Sequence, residues 1–339
     1  MQSILLTDFD CCANKLHKYI TLHDVFMKLA VLYTGETRTI RKAITYVHHI
    51  YHENPHADFF AVLQCPEEER AEIRQLLETH LGNRLKSVEW FDKNNQGWLN
   101  LRTILLDRMA ITPQWRNYLE NSGSMIEYFQ LYLAHNAILV YETATNIRYD
   151  FVMRTRPDVI LNKPLRLQHL VDPENYPAIM EEARKYSTDE QNVLYMFMNA
   201  LVDPGRIAHA KHLHSNHSTE KYYRDCVDKI DDLATYVRHG KYLISLRNNV
   251  VYITNRENMD AIAKLGYEYG KYRMEGNDYW FNAESQLETI CLNNQIALYN
   301  STTDLENASL YEYCTANYFD ETGALKSGEE FLFFICRQV

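Results

Sequence analysis

The sequence predicts an α/β fold: a mostly parallel central sheet flanked by helices, with a more mixed second half. Short apolar runs bounded by polar turns alternate with longer amphipathic stretches through the first half, the βαβα order of a parallel sheet. These runs lack the in/out alternation of half-exposed strands, as expected where helices cover both faces. One run, residues 149–161, ends abruptly in charged residues.

Taken in order, residues 28–34 read as a buried strand, 40–51 as a helix and 58–63 as a second strand. Residues 66–81 form a charged amphipathic pattern that Gly82 terminates, and 85–91 a third short strand. A polar break over 92–97 precedes a long helical stretch from about 112 to 143, interrupted near 121–124. The 149–161 run is the next strand, and right-handed crossovers make such neighbours parallel. Beyond it, 165–216 is mixed and polar, 217–239 reads as a charged surface helix, and 241–254 as one or two strands around Asn248 and Asn249. Residues 259–269 read as a helix stopped by Gly270. With no internal repeat or Pro/Gly-rich linker, the expected organisation is an extension (1–27), an α/β lobe (28–164) and a second lobe (165–339) in one compact body.

The 339 residues are 46% hydrophobic and 12% aromatic, enough for a sizeable core. A formal charge of −10 argues against nucleic acid as a bulk partner, because phosphate backbones demand clustered Lys and Arg. No run approaches the ~18 apolar residues of a membrane helix. The amino end lacks the basic flank of a signal peptide, so the expected location is cytoplasmic. Seven scattered cysteines without a Cys-x-x-Cys pair read as free thiols.

The charged end of the 149–161 run carries the chemistry. In an extended chain Arg154, Arg156 and Asp158 project to one side, and Pro157 should stop regular pairing beside them. Arginines suit phosphate oxygens in two-pronged contacts, and a carboxylate suits a hard divalent cation. The plainer alternative is an Arg/Asp ion pair at a strand end.

This segment, Tyr149-Asp150-Phe151-Val152-Met153-Arg154-Thr155-Arg156-Pro157-Asp158, resembles the Tyr-Asp-x-Val-x-Arg-x-Arg-Pro-Asp signature of GT-A-like glycosyltransferases of large algal viruses and bacterial surface-polysaccharide clusters. Two weaker resemblances follow the same order. Residues 28–38 are similar to the family's opening strand and Gly-x-x-Arg loop, here Gly35 to Arg38, and residues 279–287 to an acidic motif opening a late helix. The resemblance spans roughly residues 28–300 and implies a GT-A-like fold with an acceptor-binding lobe. It also implies transfer of a sugar from a nucleoside-diphosphate sugar to a glycan or related acceptor. Thr34, Gly35, Arg38, Arg154 and Arg156 would bind the donor, Asp158 would hold Mn²⁺ or Mg²⁺, and Glu284 would be the catalytic base. The chain departs from the family in its first 27 residues and after residue 246, where Arg247 and Asn248 stand in place of an expected aspartate.

Each residue also has a plain reading. Gly35 at a strand-to-helix turn is often only a turn, and Arg38 a solvated helix residue. Glu284 at a helix start is stabilised by the dipole alone, with Asn282 as the cap, and Trp280 and Phe281 as core or stacking rings. His209, His212, His214 and His217 read as a surface loop rather than a zinc site. Asp8 and Asp10 resemble the Asp-x-Asp opening of haloacid-dehalogenase-type phosphatases, a competing enzyme class. A glycan- or nucleotide-binding protein without turnover is the non-enzymatic alternative.

Overall fold

The computed structural model describes residues 27–161, 164, 165, 167, 176–185, 240–247, 249–273, 276–300, 311–315 and 333–338. The histidine cluster, Asp8, Asp10 and the expected helix at 217–239 lie outside the described residues.

The central sheet has seven strands in the order β3-β2-β1-β4-β7-β6-β8. They are β1 (Leu29–Glu36), β2 (Ala57–Gln64), β3 (Leu85–Phe91), β4 (Phe151–Thr155), β6 (Tyr242–Arg247), β7 (Val251–Asn255) and β8 (Ala297–Asn300). Parallel pairing joins β3 to β2, β2 to β1, β1 to β4 and β6 to β8, while β7 runs against both β4 and β6. The last three strands come from beyond residue 240 and complete the same sheet, so the main sheet crosses the boundary expected at 164. A smaller sheet pairs β5 (Val159–Leu161) and β9 (Tyr311–Thr315) on either side of β10 (Phe333–Gln338).

Both faces of the main sheet are covered, which is why its strands read as continuous apolar runs. On one face Val31, Tyr33, Phe59 and Ile253 pack with Ile44 and with Ile73 and Leu77 of α3 (Arg70–Leu81). The helical stretch before β2 is split into α1 (Ile40–Ala43), a 3₁₀ turn (Ile44–Tyr46) and α2 (His48–Tyr51) rather than one helix over 40–51. β-Branched Ile44, Thr45 and Val47 crowd that backbone, and the Thr45 hydroxyl donates to the Lys42 carbonyl at 3.0 Å.

On the other face Leu32, Phe60, Val152 and Tyr252 pack with a layer of helices. Among them are α4 (Gln96–Arg108), α6 (Ser124–Thr145), α8 (Arg256–Ala263) and α10 (Ala283–Asn293). α4 went unread in the sequence because it opens inside the polar break. Its start is a capped one: Asn95 Oδ1 accepts from the backbone N–H groups of Gly97 (2.9 Å) and Trp98 (3.2 Å). α5 (Pro113–Asn121) precedes α6, with the expected interruption between them. The helix expected over 259–269 starts earlier, at the Asn255 cap, and is interrupted before α9 (Leu265–Glu268). α7 (Tyr176–Arg184) lies between β5 and β6 in sequence. No described helix is long and apolar enough to cross a membrane.

Candidate active site

β1 leads outward through β2 to β3, whereas β4 lies on β1's other side, so the order reverses between β1 and β4. In open α/β sheets the crevice beyond the carboxyl ends of the strands at such a reversal is the usual ligand site. Here those two ends are Thr34–Glu36 and Thr155–Asp158.

The two ends touch. Gly35 has φ +144°, a conformation side chains rarely adopt, and a Cβ there would stand 3.0 Å from Pro157 Cδ and 3.9 Å from Arg156 Cβ. The glycine therefore does more than turn the chain: it lets the backbone after β1 lie against the Arg-Pro-Asp corner. Thr34 is fully buried beside it, and its hydroxyl has no hydrogen-bond partner among the described residues. Arg38 stays out in solvent, 3.7 Å from Glu36 in an exposed ion pair that contributes little.

The charged group does not share one face as its spacing predicts. Arg154 sits inside β4 between Leu32 and Tyr252, 1% exposed, on the face covered by α6. Its Nη2 pairs with Glu127 Oε1 at 2.6 Å, and Asn249 Nδ2 donates to the same oxygen at 2.8 Å. Nε and Nη1 of Arg154 and the Tyr252 hydroxyl have no hydrogen-bond partner among the described residues. The Asp158 charge reaches Tyr33, whose ring packs edge-on to Phe59 on the face opposite Arg154. Burial, and then the Asp158 charge, holds the Tyr33 phenol far above its ordinary pKa, so it remains a neutral hydroxyl. Pro157 causes the divergence: β4 ends at Thr155, and the chain restarts in the other sheet as β5, so the two-residue alternation is not carried across.

Arg156 and Asp158 stay together in a two-pronged pair. Arg156 Nε donates to Asp158 Oδ1 at 2.9 Å, and Nη2 donates to Oδ2. The Cys336 N–H donates to the Asp158 carbonyl at 2.7 Å, tying the corner to β10. No group of three or more His, Cys, Asp or Glu side chains able to hold a metal ion occurs among the described residues. Both carboxylate oxygens of Asp158 are engaged by Arg156 and the side chain is buried, so a cation could use this carboxylate only after Arg156 lets go of it.

Glu284 is exposed in the first turn of α10. Two tyrosines hold the start of that helix: Tyr128 donates to the Ala283 carbonyl at 2.7 Å and Tyr269 to the Phe281 carbonyl at 2.6 Å. Burial, then Glu127 and then Glu284, raises the Tyr269 phenol well above its ordinary pKa. Glu284 therefore stands with the amino end of α6 and Glu127, on the Arg154 side of the sheet. Asn282 makes no side-chain capping bond, contrary to expectation; the Gln286 N–H takes its backbone carbonyl at 2.9 Å. Glu127, the partner of Arg154, and Asn249, which donates to Glu127, were not read from sequence. An acidic residue in the first turn of a long helix was the one available signal, and nothing in the sequence linked it to Arg154.

No protein-family model matches the chain, and no curated protein matches it. Among solved structures it is similar to the apo form of mouse xyloside xylosyltransferase 1, at 11% identity and a TM-score of 0.33, over 91% of this chain and 97% of that one. That likeness is too slight to assign a role to any residue.

Proposed function

We propose that the chain is a GT-A-type glycosyltransferase that takes a nucleoside-diphosphate sugar at the β1/β4 crevice and moves its sugar to a hydroxyl of a glycan or related acceptor. The observation that carries this reading is the contact of Gly35, in its left-handed turn, with Arg156 and Pro157 at the point where the sheet order reverses. A backbone turn free of a side chain and a guanidinium at one strand end suit a diphosphate. Arg156 is the donor contact of this site, released from Asp158 as phosphate oxygens replace the carboxylate. Arg154, buried and paired to Glu127, positions the end of β4 and meets the donor less directly. Thr34 and Arg38 flank the same turn.

In the reaction the bond from the anomeric carbon to the diphosphate oxygen breaks, and a bond to the acceptor oxygen forms. The hydroxyl proton passes to a base, for which Glu284 is the candidate, exposed at a helix start anchored by Tyr128 and Tyr269. A divalent cation, Mn²⁺ or Mg²⁺, with Asp158 as its protein ligand, would neutralise charge developing on the leaving diphosphate. The test is a thermal-shift screen of nucleoside diphosphates and their sugars, with and without Mn²⁺, because a ligand that binds only the folded chain raises its melting temperature. Release of free nucleoside diphosphate on adding an acceptor separates a transferase from a binding module.

A further inference from the structure

A cleft of about 720 Å³ opens between the segment linking α4 to α5 and the loop that leads into α10. Its walls include Trp115, Tyr279, Trp280 and Phe281, with Arg273 and Asp278 among its polar groups. The volume falls in the range of small-molecule sites, roughly 300–1,000 Å³. The rings form a fixed shelf: Trp115 meets Tyr279 at 5.3 Å and Phe281 at 4.9 Å between ring centres. Tyr279 is 54% exposed, yet its position is held from below. Its N–H donates to Asn277 Oδ1 at 2.8 Å, and Asn277 Nδ2 donates to Ser285 Oγ of α10 at 3.2 Å.

We infer that this cleft binds a saccharide, and, resting on the sugar-transfer reading, that the saccharide is the acceptor. A pyranose presents an apolar C–H face to an aromatic ring and hydroxyls around its edge. The exposed Tyr279 ring suits the first, and the Asp278 carboxylate and Arg273 guanidinium suit the second. A phosphate-bearing ligand would meet the Asp278 carboxylate, and the Arg273 guanidinium lies over the Trp280 ring, 5.9 Å from its centre. An apolar peptide would bury both charges without partners. One wall of the cleft adjoins the start of α10: Phe281 accepts from Tyr269 through its carbonyl, and Glu284 follows in the first turn of that helix. The Tyr269 phenol feels both Glu284 and Glu127, and Glu127 grips Arg154 in β4. A sugar on the shelf therefore lies on the same side as the candidate base.

The test titrates the full chain with cellobiose, lactose, xylobiose and mannobiose, reading tryptophan fluorescence, since Trp115 and Trp280 line the cleft, and heat of binding. At least one disaccharide is expected to bind saturably. Tyr279→Ala should weaken it about tenfold, the scale of one lost ring contact. Asp278→Asn should weaken it as well, and both exposed-site variants should melt like the wild type. Binding by none of the four, binding unchanged in both variants, or displacement of the sugar by UDP would overturn the assignment. The two readings fail separately. If a nucleotide sugar stabilises the chain but no disaccharide binds, the cleft is wrong and transfer stands; if a disaccharide binds through Tyr279 and no nucleotide sugar does, the reverse holds.

Discussion

Gly35 shows how one residue joins two distant segments. Its φ of +144° and the 3.0 Å approach to Pro157 leave no room for a branched side chain. Gly35→Val should cost about 1–3 kcal/mol of stability through backbone strain and weaken nucleotide-sugar binding, measured by chemical denaturation and calorimetry. Unchanged donor affinity in a folded variant would remove the turn from the site. Glu284→Gln keeps the shape of the base and removes its proton acceptance. Donor binding should persist while transfer falls by a factor on the order of 10²; near-normal turnover would return Glu284 to a structural role. The residue types at this site were legible in the sequence, but their arrangement was legible only in part. Arg156 and Pro157 lie against Gly35, with Asp158 paired to Arg156, whereas Arg154 stays in the β4 register under α6 and the alternation stops only after Thr155 at Pro157. The Arg154 partner Glu127, and the Asn249 amide that Glu127 also accepts from, are set by long-range packing, which no local pattern encodes.

The strands β1 to β3 were readable because burial on both faces leaves continuous apolar runs. Helix boundaries were less so. α4 hid behind Asp92–Gln96 polarity although its Asn95 cap is a local signal, and the helix over 40–51 broke where β-branched side chains crowd. Asn95→Ala should lower stability by about 1 kcal/mol by leaving two N–H groups of α4 uncapped, with no change in ligand affinity. The α6–α8 contact carries a pH dependence. Burial and then the Arg256 charge lower the His135 pKa to about 4, outweighing Asp260 at 3.0 Å. The folded state therefore resists a proton that the unfolded chain accepts near pH 6.5. Stability is full above that value and falls as pH drops towards 4, by on the order of 3 kcal/mol. His135→Gln should flatten the urea-midpoint profile between pH 4 and 6.5 relative to wild type; an unchanged slope would place the acid sensitivity elsewhere.

For the whole molecule, the two halves of the sequence build one sheet: β4 pairs with β1 on one side and with β7 on the other. Events at the β1/β4 crevice thus bear on elements from both halves, and ligand binding there should stabilise the chain as a unit. The central claim is that this crevice takes a nucleotide sugar with Asp158 as a cation ligand. Because Arg156 holds both oxygens of Asp158, a cation should bind appreciably only with a diphosphate present to draw Arg156 away. The most direct measurement is the melting temperature of the wild type and Asp158→Asn, each with nucleotide sugars, with Mn²⁺ and with both. The account predicts that one nucleotide sugar raises the wild-type melting temperature, that Mn²⁺ adds to the rise only when the nucleotide sugar is present, and that a cooperatively folded Asp158→Asn loses this increment. No response to any nucleotide sugar, or the same Mn²⁺ increment in Asp158→Asn, would contradict it.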